Sequence, residues 1–492
     1  MLCAVALLML GVVMVSSAGM AVQPIAPGAD PSATAAASGV TLTSIMTSRP
    51  MLYMAIALAA MIVAFQIPAA RLADRATATG GPAASGKATA PAPLKDYLWL
   101  LVSTLAIIAV IGLVYVPGIA RPVNGAHRWI DLGIPGLNSV QPSELAKWLI
   151  IPVVALYAAR LTLSHQGGSH PDELHPDESP PNRLGKFFTG LLPGLVAVGV
   201  VAAFVVVEDL GTGFLIAVVG AFMLLAGGAK LRHFAWFVPP AIAGITFAII
   251  TSPYRVRRIL AFLDPYADPM GDGFHMIQSM QTVAGAGPFG RGLGHGLQKF
   301  GYLPEDTTDF LFAIICEELG LAGASLVIAL YVIMIWAALS IAARETRPLL
   351  KLVVLGVTAT VAIQACINLV VVTGLGPTKG IALPLLSAGG TGWILTSAML
   401  GLVASIDRTA PQYEDVTETE AEESEEELDD EAEAEPGYGA DDWAAEAEGF
   451  EGESAPLIET LGAKVPRWLK PRVRLSLVGP SEVADAADDP SA

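Results

Sequence analysis

About ten apolar runs, each near the roughly 20 residues needed to cross a bilayer, dominate this chain. They fall at about 1–17, 50–68, 97–116, 143–160, 188–207, 211–228, 233–251, 309–343, 350–374 and 380–405. In lipid no water satisfies an open backbone, so such runs must be helices. The expected fold is an all-α polytopic membrane protein. It has about ten transmembrane helices and a long extracytoplasmic loop between the seventh and eighth. A mean hydropathy of +0.57 with only 15% charged residues excludes an ordinary soluble domain. The first run lacks the basic lead-in of a signal peptide, since no Lys or Arg precedes Arg49. It reads as a first transmembrane helix with a short or missing lead-in.

The net charge of −18 is unevenly distributed. From Pro411 onward there are 25 Asp and Glu against 5 Lys and Arg, a net −20. The rest of the chain carries 21 acids and 23 bases, a net +2. Residues 1–408 therefore form the membrane domain. Residues 409–492, with EAEESEEELDDEAEAE at 420–435, are expected to be a disordered acidic tail. Near its end KVPRWLKPRVR (464–474) is either a spacer or a contact with the anionic inner leaflet. No basic patch suggests nucleic acid. Cys3, Cys316 and Cys366 each lie in an apolar run, with no metal-ligand spacing, and read as small core residues.

With the N-terminus inside, inner loops carry thirteen basic residues and outer loops nine, the expected bias. Both termini are then cytoplasmic. Five of the nine outer bases (Arg255, Arg257, Arg258, Arg291 and Lys299) share the outer loop 252–308. Guanidinium forks match phosphate oxygens, so Arg255, Arg257 and Arg258 suit a diphosphate or, alternatively, lipid headgroups. The glycines at 285–296 include a GxGxxG-like string, but no strand precedes it, so it is no dinucleotide fingerprint.

Asp309 follows Thr307 and Thr308 at an expected helix start on the outer face. A carboxylate there can be a general base or a partner for the helix dipole. Asp209 in VVVEDLGTGF sits at a turn and reads first as a helix cap. Glu144 and Lys147, three apart, suit an ion pair within the membrane. Gly389 and Gly390 permit close helix approach. Glu317 and Glu318 are expected to pair with internal polar groups such as Lys147.

Seven stretches together resemble the SEDS family (shape, elongation, division and sporulation), which contains FtsW, RodA and SpoVE. They are VMVSSAG (13–19), NGAHRWIDLG (124–133), QPSELAKW (141–148), EDLGT (208–212), the loop 253–308, LPEDTTDFLFAIICEELG (303–320) and GLGPTKGIALPLLSAGG (374–390). The chain has Thr307 where the family often has His before its TDF motif, and SAGGTG where it has SYGGSS. The resemblance implies a peptidoglycan glycosyltransferase of the bacterial cytoplasmic membrane that polymerises lipid II. It makes Asp309 the catalytic acid of the TDF motif. It assigns supporting roles to Arg128, Trp129, Glu144, Lys147 and Asp209. In the matched outer-loop stretches Arg255, Arg257, Arg258, Gln278, Lys299 and Glu305 are the further candidates for substrate binding or support.

Implied partners are lipid II, undecaprenyl-diphosphate-linked glycan, a class B penicillin-binding protein (a transpeptidase), divisome regulators and membrane lipids, with no nucleic acid. A divalent cation, Mg or Mn, is a candidate helper for the leaving diphosphate. No organic cofactor is expected. The outer loop is more like that of division and sporulation members, which points to septal synthesis. Elongation-type synthesis is the runner-up. A lipid II flippase is the alternative of another class, and a scaffold without chemistry is a third.

Overall fold

The computed structural model describes residues 1–19, 46, 48–78, 94–123, 126–134, 137–166, 191–298, 303 and 307–409. The chain divides into two units, Met1–Pro411 and Gln412–Ala492. The acidic tail and its basic segment lie outside the described residues.

Each of the ten apolar runs carries a helix. These are α1 (Leu2–Ala18), α2 (Arg49–Gln66), α4 (Leu94–Gly112), α5 (Pro142–Gln166), α6 (Leu192–Glu208), α7 (Leu210–Ala226), α8 (Val238–Ile250), α11 (Leu311–Arg344), α12 (Pro348–Val372) and α13 (Gly390–Thr409). Among the described residues, five segments are long and apolar enough to cross a membrane: Arg49–Gln66, Tyr97–Tyr115, Pro142–Arg160, Leu311–Arg344 and Pro348–Val372. Leu98, Leu101, Val102 and Leu105 on α4, and Leu326, Val332, Ile333 and Trp336 on α11, face outward. An apolar outer surface of this kind is what lipid requires.

Small residues set the helix spacing. A Cβ on Gly220 of α7 would lie 2.5 Å from Val198 of α6, and one on Gly401 of α13 would lie 2.2 Å from the Met61 carbonyl of α2. The core between these helices is Leu, Ile, Val and Ala, with Leu7, Leu8, Ile150, Ile151, Leu215 and Ile314 fully enclosed.

Four local readings change. The segment 69–95, rich in Ala, Gly and Pro and expected from the sequence to be a loop, contains a helix, α3 (Ala69–Ala78). Residues 120–140 form an antiparallel sheet in the order β1 (Ala120–Val123), β2 (Ala126–Ile134), β3 (Leu137–Val140). These strands are short, and pairing rather than hydrophobic period specifies them. The expected span 380–405 is helical only from Gly390. Its first ten residues are irregular, with Leu385 at φ +64 and the Tyr331 hydroxyl donating to the Pro384 carbonyl. The fourth change concerns α8, which is 13 residues long and buries none of them. At 1.5 Å per residue it extends about 20 Å, short of a full crossing.

The outer loop is ordered by two helices. α9 (Pro253–Leu263) has one buried residue, Ala261. α10 (Phe274–Ala284) buries Met276, Ile277, Ser279 and Thr282, and its Ser279 hydroxyl donates to the Val372 carbonyl at 2.7 Å. α11 contains a break at Gly320, with φ +68 and ψ −161. Leu311–Leu319 is thus a half-helix, and residues Leu311–Glu318 are all buried.

Candidate active site

Asp309 is half-buried, one residue before the cap of that half-helix. The cap position is Phe310, which makes no side-chain cap bond and stacks on His275 of α10 at 6.3 Å. The backbone of Asp309 is pinned from α12. The Asn368 amide nitrogen donates to the Asp309 carbonyl and to the Ile381 carbonyl, both at 2.8 Å. One turn earlier on α12, Gln364 donates to the Ala382 carbonyl at 2.9 Å. The two amides stand four residues apart on one helix face and so hold the segment 380–382 against Asp309. A Cβ at Gly380 would lie 3.0 Å from Asp309 Oδ2, so only glycine allows this approach without displacement.

Glu144 and Lys147 form the expected ion pair, 2.7 Å apart. The Lys147 ammonium, 2% exposed, also donates to Gln364 at 2.8 Å. A chain of polar contacts thus runs from Glu144 through Lys147 and Gln364 to the Ala382 carbonyl. The pair supports the segment facing Asp309 from α5, with both partners held in a buried network.

Asp209 caps α7, as its position suggested. Its Oδ1 accepts from the Gly211 and Thr212 amides at 3.0 and 3.1 Å, and its Oδ2 accepts from the Thr212 hydroxyl at 2.8 Å. Gln141 donates to Oδ2 at 3.3 Å. Asp209→Ala is expected to cost about 1–2 kcal/mol through the lost cap. A lowered unfolding midpoint of the purified protein checks this.

Arg128 on β2 donates to the Glu208 carbonyl at 2.9 Å, beside that cap. Trp129 pairs with Arg121 across the sheet and is half-buried. Lys379, which sequence reasoning counted only as an outer base, lies at the same place. Burial pushes its pKa down, and the Asp209 carboxylate opposes that shift. Its ammonium stands 5.3 Å from the Phe214 ring centroid. The available signal was its place in GLGPTKG, a lysine inside an otherwise apolar stretch.

The three arginines of α9 separate. Arg255 spends its terminal nitrogens on the carbonyls of Ala248, Val206 and Val207, at 3.0, 2.8 and 2.9 Å. It ties helix ends together, and those nitrogens are not presented to a diphosphate. Arg257 is exposed and pairs with Asp272 at 3.3 Å. Only Arg258 reaches the site, donating to the Thr378 carbonyl at 2.9 Å, with its guanidinium 4.6 Å from the Tyr254 ring. Gln278 is half-buried on α10, one turn from His275, and its carbonyl accepts from the Thr282 hydroxyl at 2.6 Å. Lys299 and Glu305 lie outside the described residues.

An apolar groove of about 320 Å³ opens beside Lys379. Phe214 of α7, Ile363, Cys366, Ile367 and Val370 of α12, and Pro377 line it. Cys366 is exposed there, which corrects its reading as a core residue; Cys316 is buried and Cys3 half-buried. Lys379 thus stands in the wall of a groove suited to a hydrocarbon chain, and its chain neighbours Thr378 and Gly380 lie against Arg258 and Asp309 respectively.

Asp209 is engaged by four donors. No cluster of three His, Cys, Asp or Glu able to hold a metal occurs among the described residues.

Glu317 and Glu318 do not reach Lys147, which Glu144 and Gln364 already occupy. They accept instead from backbone amides of the glycine-rich segment of the outer loop.

Comparison with known proteins gives a consistent set. The family model FtsW/RodA/SpoVE, described as "Cell cycle protein", matches residues 91–412. Stage V sporulation protein E of Bacillus subtilis (strain 168) is 35% identical over 300 residues, which cover 60% of this chain and 75% of that protein. A probable peptidoglycan glycosyltransferase FtsW of Thioalkalivibrio sulfidiphilus (strain HL-EbGR7) is 38% identical over 300 residues, covering 60% and 70%. A solved structure concerned with coordination of polymerization and crosslinking by a peptidoglycan synthase complex superposes with TM-score 0.54. It is 25% identical and covers 84% of this chain and 97% of its own. The rod-shape-determining protein RodA of Thermus thermophilus shares the fold, with TM-score 0.50, 20% identity and coverage of 84% and 97%.

Proposed function

We infer, from the premise that this chain belongs to the FtsW/RodA/SpoVE family of cell cycle proteins, that Asp309 is the base of a lipid II polymerase. The chain is a peptidoglycan glycosyltransferase of the cytoplasmic membrane, of the division type. The observation that carries the assignment of roles is that Arg258 and Asp309 both lie against the segment 378–380, whose Lys379 lines an apolar groove.

The donor is the lipid-diphosphate end of a growing glycan, and the acceptor is the 4-hydroxyl of the next lipid II. Asp309 takes the hydroxyl proton as that oxygen bonds to the donor's anomeric carbon. The bond from that carbon to the diphosphate oxygen breaks, and the diphosphate leaves with the electron pair. A β-1,4 linkage from an α-linked donor is one inversion, so one base suffices, unlike the two carboxylates of glycoside hydrolysis. Lys379 and Arg258 face the place where negative charge develops. The polyprenyl chain follows the groove toward lipid.

A divalent cation, Mg or Mn, would help neutralise the leaving diphosphate. The transpeptidase partner is a class B penicillin-binding protein. Both termini are cytoplasmic, and the enzyme works at the septum.

Depletion in the cell tests the division role. Filaments are the expected result, and rounded cells would assign the enzyme to elongation. In the same strain, an Asp309→Asn copy should fail to restore growth; restoration would favour a scaffold. A transporter would be expected to carry its substrate path through the bundle midplane. Here Asp309, Arg258 and the groove-lining Lys379 instead adjoin one short segment, 378–380.

A further inference from the structure

The glycine string that sequence reasoning set aside as a dinucleotide motif has an internal ligand. Gly290, Gly292 and Gly294 take φ of +70, +94 and +80. Alternating left-handed residues turn successive amides toward one side, the geometry that elsewhere cradles anions. Here the anions are the chain's own side chains. Glu318 accepts from the Gly294 amide at 3.1 Å and the Gly296 amide at 3.3 Å. Glu317 accepts from Leu297 at 2.8 Å and Gln298 at 3.3 Å. The two glutamates are 3% and 0% exposed. Ser17 of α1 donates to both oxygens of Glu318, at 2.9 and 2.7 Å.

Main-chain bonds complete the clasp on either side of the break. The Arg291 and Gly292 amides donate to the carbonyls of Glu317 and Glu318, both at 2.9 Å. Beyond Gly320, Leu321 and Ala322 donate to Gly287 and Pro288 at 3.0 and 3.1 Å.

The break decouples the half-helix Leu311–Leu319 from the rest of α11, because the helical hydrogen-bond ladder does not run through Gly320. Tertiary bonds must then orient it. At its start, Asn368 and the Ala388 amide hold the carbonyls of Asp309 and Thr307. At its end, the clasp is the anchor. Eight to nine residues at 1.5 Å each make a lever of about 13 Å, so a tilt of about 5° moves Asp309 by about 1 Å. Misplacement by that distance is enough to cost about 100-fold in rate.

We propose that Glu317 and Glu318 are positioning residues for Asp309, which fix the axis of its half-helix by gripping the outer-loop segment 290–298. The proposal rests on the reading of Asp309 as the base. It extends to Ser17, which links the same clasp to α1.

The test combines kinetics with amide exchange on the full-length protein. In Glu318→Gln and Glu317→Gln one acceptor oxygen becomes a donor at nearly constant volume, so amides among Gly294, Gly296, Leu297 and Gln298 lose partners and the segment loosens. The expected result is a kcat for lipid II polymerisation lowered about 10- to 100-fold, with KM and the unfolding midpoint little changed and faster exchange at 291–298. Glu318→Asp keeps both acceptors and should recover part of the loss. Faster exchange with unchanged kcat would overturn the proposal. So would a fall in kcat that tracks a lowered midpoint, since that marks a role in stability alone. If the variants do not fold, the wild type still decides the clasp. Its 291–298 amides should exchange more slowly than the rest of the loop, and exchange within seconds would refute the anchor. A wild type that polymerises nothing would count against the polymerase reading, and its exchange result would still judge the clasp.

Discussion

Asp309→Asn is expected to lower lipid II polymerisation about 10²- to 10⁴-fold, the range in which a positioned general base contributes. The substitution keeps the side chain's shape, so it still fits against Gly380. Asn368 holds the Asp309 carbonyl rather than its carboxylate, so the backbone anchor is unaffected. A folded, substrate-binding and nearly inactive protein should result. Asp309→Glu is a sharper version. It keeps the base but adds a methylene toward a wall where even a Cβ at residue 380 would stand 3.0 Å from Oδ2. Its activity should fall about 100-fold despite the conserved carboxylate. Initial rates of glycan-strand formation at saturating lipid II measure both.

Gly320→Ala should severely damage the fold, destabilising by more than about 3 kcal/mol. Two terms act together. At φ +68 and ψ −161 the residue occupies a region essentially reserved for glycine. The added Cβ would also lie 2.2 Å from the Gly290 amide nitrogen and 2.5 Å from the Gly287 carbonyl, and both are backbone atoms that cannot rotate away. The outer-loop segment must undock, and with it the bonds that hold the half-helix. Gly118→Ala is the control. That glycine also has positive φ, at +90, but nothing lies within 4 Å of its Cβ position. It should cost about 1–2 kcal/mol. Unfolding midpoints of the two variants measure the difference, which is the contribution of loop docking.

Hydropathy alone located the helices of the ten apolar runs, because the lipid solvent forces apolar runs of that length to be helical. It did not locate Gly320, because a break inside a run leaves mean hydropathy unchanged. For the same reason the irregular segment before Gly390 merged with α13: ALPLL is as apolar as a helix. The pairing of Glu144 with Lys147 was legible because it is local, three residues apart. The partners of Glu317 and Glu318 were not, since they lie about 20 residues away as backbone amides and about 300 away as Ser17. Side-chain chemistry identified Arg255, Arg257 and Arg258 as a set. Helix direction then sent one to helix ends, one to Asp272 and one toward Thr378. Lys379 became visible only when folding placed it beside Asp209 and Phe214.

The most direct test uses purified full-length protein with a transpeptidase partner whose own active site is disabled, and lipid II as the sole sugar substrate. The wild type should produce a ladder of glycan strands, and Asp309→Asn, folded and equally abundant, should produce none. Equal ladders from both would contradict the assignment of Asp309 as the base. No strands from an intact, partner-bound wild type would contradict the polymerase itself and turn attention to lipid II transport.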